Sequence, residues 1–101
     1  MCSSDLDQTT KVRGMFVHPG QVDQVAKRFP EVVKARLVVS GEMANDQMAL
    51  RVEVNQQPDG LAQRLADAVR DVTKLRADIE LLTPGTLPND GKVIEDARTY
   101  Q

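Results

Sequence analysis

Val32-Val33-Lys34-Ala35-Arg36-Leu37-Val38-Val39 and, further on, Met48-Ala49-Leu50-Arg51-Val52-Glu53-Val54 decide the fold. In the first stretch Ala35, Leu37 and Val39 alternate with Lys34 and Arg36. In the second Met48, Leu50, Val52 and Val54 alternate with Ala49, Arg51 and Glu53. A period of two places every other side chain on one face, so both stretches predict half-buried strands. Ser40-Gly41 reads as a turn, and the polar stretch Glu42 to Gln47 separates the runs. The two are expected to pair antiparallel as a hairpin with a longish loop.

Working outward, Pro58-Asp59-Gly60 opens the longest periodic segment. Leu61, Leu65, Ala68, Val69, Val72 and Leu75 share one face of a helix, with Gln63, Arg64, Asp67, Asp71 and Lys74 opposite. Ile79 and Leu81 then alternate with Asp78 and Glu80 as a short strand, broken by Thr83-Pro84-Gly85. Upstream, Val22, Val25, Ala26 and Phe29 trace a short amphipathic helix that Pro30 stops. Before it, Lys11 to Val17 reads as a short strand or strand-like loop with a backbone-permissive break at Gly14, ended by His18-Pro19-Gly20. The order is β-α-β-β-α-β. It predicts an α+β domain with a small antiparallel or mixed sheet and two helices on one face, resembling a ferredoxin-like arrangement. Fold does not give function, since this topology hosts regulators, RNA binders, metal carriers and enzyme subdomains alike.

Composition narrows the classes. The 101 residues hold one domain, with 13 Lys plus Arg against 15 Asp plus Glu and a net charge of -2. That balance lacks the positive field phosphate backbones attract, and two Phe, one Tyr and no Trp leave few rings for stacking, so nucleic acid is not the expected partner. No apolar run approaches the roughly 20 residues a membrane helix needs, so no membrane partner is expected. One Cys makes no internal disulfide and His18 is the sole histidine. A reducing, cytoplasmic setting is expected, without structural zinc or a Ser-His-Asp triad.

Residues 1–6, Met-Cys-Ser-Ser-Asp-Leu, have neither the basic nor the apolar region of a signal peptide. Cys-Ser-Ser-Asp-Leu is what a common sequencing-library adapter gives when translated in frame. These residues are therefore expected to be a non-native leader on a fragment whose natural frame continues upstream, the alternative being a disordered natural terminus. Cys2 is left out of any chemistry on that ground.

The tail is the part the predicted fold does not use. Thr83 to Gln101 spans nineteen residues with two prolines, two glycines and little period, and stretches of that kind in small domains are functional or disordered. At its centre lies Leu87-Pro88-Asn89-Asp90-Gly91-Lys92-Val93-Ile94. Glycine lets a ligand approach the backbone and the lysine adds a mobile point charge, a pairing suited to phosphate or carboxylate. It is not a Walker loop: Gly85 and Gly91 enclose five residues rather than four, and Val93 follows Lys92 where Ser or Thr is needed. Alone, Lys92 reads as a solvated surface lysine.

Two segments taken together say more. Asp7-Gln8-Thr9-Thr10-Lys11-Val12-Arg13-Gly14 and Leu87-Pro88-Asn89-Asp90-Gly91-Lys92 flank the β-α-β-β-α-β body, and this pairing resembles the C-terminal domain of the AMP-forming acyl-CoA ligases. Gly14 to Val22 is similar to the phenylacetate-CoA ligase branch in particular. The resemblance covers residues 7–101 and implies a two-step enzyme of aromatic acid catabolism. A carboxylic acid and ATP give an acyl adenylate and pyrophosphate, and the thiol of coenzyme A then displaces AMP. It implies a missing N-terminal ligase domain that binds ATP, Mg2+ and the acid, with this domain swinging between two orientations and inactive alone. The partners so implied are that domain, the acyl adenylate and CoA.

The resemblance also assigns roles. Lys92 matches the adenylation lysine, with Gly91 positioning its loop, and Asp7 matches the hinge residue. Gly14 matches the glycine that lets pantetheine pass, with Lys11 and Arg13 as basic residues for CoA phosphates. Glu95 departs from the superfamily, which commonly carries a basic residue three positions after the lysine. The competing reading is an ACT-like regulatory module of the same element order, which would bind an amino acid around His18 to Gln21 and has no use for a Gly-Lys loop.

Overall fold

The computed structural model describes residues 9–42, 45–88, 91 and 93–97. Its elements run in chain order β1 (Thr10–Val12), β2 (Met15–Val17), α1 (Pro19–Lys27), β3 (Val32–Glu42), β4 (Asn45–Val54), α2 (Leu61–Thr73), β5 (Asp78–Leu82) and β6 (Ile94–Asp96). The two alternating stretches are β3 and β4, antiparallel, with Leu37 opposite Leu50 and Val39 opposite Met48. Pairing runs further than expected. Ser40 and Gly41 are strand, opposite Gln47 and Asp46, because a ladder needs only backbone groups and can continue through polar residues into solvent.

The main sheet has the order β5-β4-β3-β6, and both outer pairings, β4 with β5 and β3 with β6, are parallel. It is the expected mixed α+β sheet with two helices, but its strands are recruited differently. Lys11 to Val17 is not one strand of this sheet. β1 and β2 form a separate hairpin with Lys11 opposite Phe16, turned by Arg13 (φ 51°) and Gly14 (φ 84°). Two consecutive positive φ values in a two-residue loop suit the twist of a tight hairpin, and Gly14 supplies one without strain. The edge beside β3 is taken instead by β6, from the tail. A three-residue strand in which Ile94 is buried has too little period to be read in advance.

One face of the sheet carries the core. Leu37, Val39, Met48, Leu50 and Val52 pack there against Val22 and Val25 of α1 and against Leu61, Leu65, Ala68 and Val69 of α2. Leu37, Leu50 and Leu65 are fully buried, and each such side chain contributes about 1.5–3 kcal/mol. Val12 and Val17 join the same core, which fastens the hairpin to the helix side. Pro19 opens α1, where its missing N–H costs nothing. Gln21 Oε1 accepts from the His18 N–H (2.9 Å) while Gln21 Nε2 donates to the Val72 carbonyl (3.2 Å), tying α1 to α2. α2 ends at Lys74 in the left-handed region (φ 66°), its N–H on the Arg70 carbonyl. Thr73 is buried and donates to the Val69 carbonyl at 2.7 Å.

Candidate functional site

Of the two segments singled out in the sequence, the described parts, Thr9 to Gly14 and Leu87–Pro88, lie on opposite sides of the sheet. The Gly14 turn belongs to the helix side. Arg13 fixes it to β4: its N–H donates to Asp46 Oδ2 and its Nε to the Asp46 carbonyl, both at 3.1 Å. Lys11 Nζ lies 5.8 Å from the Phe16 ring centroid across the hairpin, within reach of a cation–π contact. Met15 and Phe16 are exposed at the tip. A Cβ built on Gly14 meets nothing within 4 Å, so within the domain only φ restricts that position.

The stretch that leads to Gly91 belongs to the other side. The chain leaves β5 at one edge of the sheet and returns as β6 at the other, and Leu87 and Pro88 lie on the face away from the helices. Three charged side chains of that face hold this stretch and β6. Glu53, 4% exposed, accepts from the Leu87 N–H at 2.6 Å. Lys34, its direct partner across the β3/β4 ladder, donates to the Pro88 carbonyl at 2.8 Å. Arg36 Nη2 meets Glu95 Oε1 at 2.6 Å. Leu87 is buried yet stands apart from the core cluster, sealing the second face. The Leu87 N–H, then that of Gly85, holds the Glu53 carboxyl below the ordinary glutamate range; burial works against them and Lys34 helps. Gly91 is exposed, with φ 79°. Lys92 and Asp7 lie outside the described residues.

Along β3 the two anchors, Gly41 opposite Asp46 and Lys34 beneath Pro88, are seven residues apart, roughly 23 Å at strand rise. The Gly14 turn and the Leu87–Pro88 stretch therefore lie on opposite faces of the sheet.

A cleft of about 530 Å³ adjoins the hairpin turn. Arg13, Arg70 and Arg76 line it with Asp46, Asp67 and Asp78. The Arg70 and Arg76 side chains make no hydrogen bond or ion pair among the described residues. Sequence reasoning missed both, because α2 and the approach to β5 reach the cleft only through tertiary packing. Among the described residues no group of three or more His, Cys, Asp or Glu could hold a metal ion, and no helix is long and apolar enough to cross a membrane. The turn from His18 to Gln21, where an amino acid would sit in the ACT-like reading, has its polar groups engaged internally: Thr9 Oγ1 lies 2.9 Å from His18 Nδ1, and Gln21 bridges the His18 N–H and α2.

Comparison with known proteins points the same way. Residues 14–98 match the family model described as the AMP-binding enzyme C-terminal domain. No curated protein matches the chain. Among solved structures, a domain of phenylacetate-coenzyme A ligase from Bacteroides vulgatus superposes with a TM-score of 0.83 at 21% identity, covering 97% of this chain and all of that one. A 2-hydroxyisobutyryl-CoA ligase, in complex with 2-HIB-AMP and CoA in the thioesterification state, gives 0.78 at 23% identity over 91% of this chain. The same ligase in the postadenylation state gives 0.73 at 22%. The chain spans 22% of the length of that ligase.

Proposed function

This chain belongs to the family of AMP-binding enzyme C-terminal domains, and on that premise we propose that it is the mobile C-terminal domain of an AMP-forming CoA ligase. The carrying observation is that the Gly14 turn and the Leu87–Pro88 stretch, from which the chain runs on to Gly91 and Lys92, lie on opposite sides of one sheet. A domain so built serves two chemical steps by presenting one side and then the other to a shared active site on a larger N-terminal domain. In the first step a carboxylate oxygen attacks the α-phosphorus of ATP and pyrophosphate leaves. In the second the CoA sulfur attacks the acyl carbon and AMP leaves. Lys92 supplies positive charge where the carboxylate meets the α-phosphate, a position of rising negative charge. Gly14 lets the pantetheine arm run against the backbone.

The activated acid is an arylacetic acid of the phenylacetate type, a reading supported by the similarity around Gly14 to Val22. ATP, its Mg2+ and the acid are bound by the N-terminal domain, and this domain brings the lysine and the CoA face. The cleft beside Gly14 extends the CoA contacts. Arg13 is engaged with Asp46, so Arg70 and Arg76 are the guanidinium groups there available to the phosphates of CoA. Replacing both with Ala is expected to raise the KM for CoA about tenfold, the loss of one or two charge-assisted contacts. ATP/pyrophosphate exchange stays unchanged; an unaltered KM for CoA would remove these residues from the CoA path.

Asp7 is the hinge in this reading. Proline there fixes φ and traps the domain in one orientation, so Asp7→Pro should leave one half-reaction and abolish the other. The test is to assay acid-dependent ATP/pyrophosphate exchange and the conversion of supplied acyl adenylate to thioester separately. Both steps surviving intact would show that Asp7 is not the hinge.

A further inference from the structure

Glu53 and Lys34 face each other across the β3/β4 ladder and grip consecutive residues of the crossing segment, Leu87 through its N–H and Pro88 through its carbonyl. A carboxylate 4% exposed is costly in a strand interior unless fully engaged. Leu87 alone would seal this face, so a buried charge aimed at a loop amide fixes where the segment lies rather than how much apolar surface it covers. The far end is held in the same manner. Leu37 N–H donates to the Val93 carbonyl at 2.8 Å, Ala97 N–H to the Val39 carbonyl at 2.6 Å, and Arg36, itself buried, takes Glu95. Only residues 89–92 separate the two clamps, and Lys92 is among them.

We propose that Glu53, together with Lys34, is a positioning residue for the adenylation step, seating Leu87 and Pro88, the residues from which the chain runs on to Gly91 and Lys92. The inference rests on the role given to Lys92 above. Glu95, the departure from the superfamily pattern, fits the same picture as the carboxylate that Arg36 needs at the far clamp.

The test uses the full-length ligase carrying Glu53→Gln, Lys34→Met or Lys92→Ala, with three readouts. The carboxamide of Glu53→Gln keeps the shape but loses the charge. Misplacing a reacting group by about 1 Å costs up to roughly a hundredfold. Glu53→Gln should therefore lower kcat for acid-dependent ATP/pyrophosphate exchange by about tenfold to a hundredfold, with KM for ATP and acid held within about twofold. Thioester formation from supplied acyl adenylate should stay within about twofold. Lys34→Met, at a half-buried position, should cost the same step a few-fold. Deuterium exchange of the 83–93 backbone should quicken in both.

The acid side gives a third signature. Because the folded carboxyl is held low, its stabilisation is present at neutral pH and is lost as pH falls through its folded value, below the ordinary glutamate range. Glu53→Gln should flatten that acid limb of stability. Equal loss of both half-reactions, or unchanged deuterium exchange over 83–93, would overturn the proposal. If Lys92→Ala spares adenylation, the role of Lys92 fails on its own, and the deuterium result alone decides whether Glu53 seats the segment.

Discussion

Lys92→Ala in the full-length ligase is expected to lower acid-dependent ATP/pyrophosphate exchange by about 10²–10³ while leaving the conversion of supplied acyl adenylate and CoA to thioester near normal. Removing a single group that stabilises developing negative charge costs about 10²–10³ in rate, or about 3–4 kcal/mol of transition-state stabilisation. The loss is expected to be confined to one step because Leu87 and Pro88, which lead to the Gly-Lys pair, lie on the sheet face away from the Gly14 turn. A group on that side contributes only in the orientation that presents it. Quench-flow or isotope-exchange measurement of each half-reaction reads the split directly. Equal loss of both steps would mean that Lys92 acts through folding or domain docking rather than at the adenylation centre.

Gly14 should give the mirror image. Its φ of 84° lies in the left-handed region, so Gly14→Val strains the hairpin, at a cost of about 1–2 kcal/mol. Asn tolerates that region and keeps the turn. Since a Cβ at Gly14 meets nothing within 4 Å, any further demand for glycine comes from what approaches the domain. If pantetheine passes against this backbone, both variants lose thioester formation by about a hundredfold, while ATP/pyrophosphate exchange persists in both. Normal thioester formation in Gly14→Asn would leave the glycine with its turn alone.

The hairpin of β3 and β4 and the long helix α2 were legible because many side chains repeat one period: Leu37, Val39, Leu50 and Val52 on a strand face, Leu61, Leu65 and Val69 on a helix face. Segments with few repeats were not. A single strand through Val12, Gly14 and Phe16 would place those positions on one side. The tight turn at Arg13-Gly14 instead buries Val12 and Val17 and exposes Phe16. Asn or Asp before the glycine is the usual sign of such a turn, and arginine gave no such sign. β6 escaped notice because three residues carry no period and its pairing to β3 is set by contacts distant in sequence.

The candidate site divides along the same line. Lys92, Gly91, Gly14 and Asp7 stood out through local motifs and a family resemblance. Glu53 looked like the solvent-facing member of an alternating strand, and only the crossing segment above it makes it a buried acceptor for the Leu87 amide. Arg70 and Arg76 carried no motif in the sequence, and they line one cleft with Arg13 only once α2 packs on the sheet. Burial of a polar side chain by a segment far along the chain leaves no local periodic signal, so residues of this kind have to be found in three dimensions.

The central claim, that this is one domain of a two-step ligase, is tested most directly by sequencing the DNA upstream of the codon for Asp7. We expect the reading frame to continue without a stop into a Gly-Arg pair and then several hundred codons that include a Ser/Thr/Gly-rich phosphate loop. A ribosome-binding site immediately before Met1, with no such frame upstream, would contradict the claim and leave Lys92 without an adenylation centre to serve.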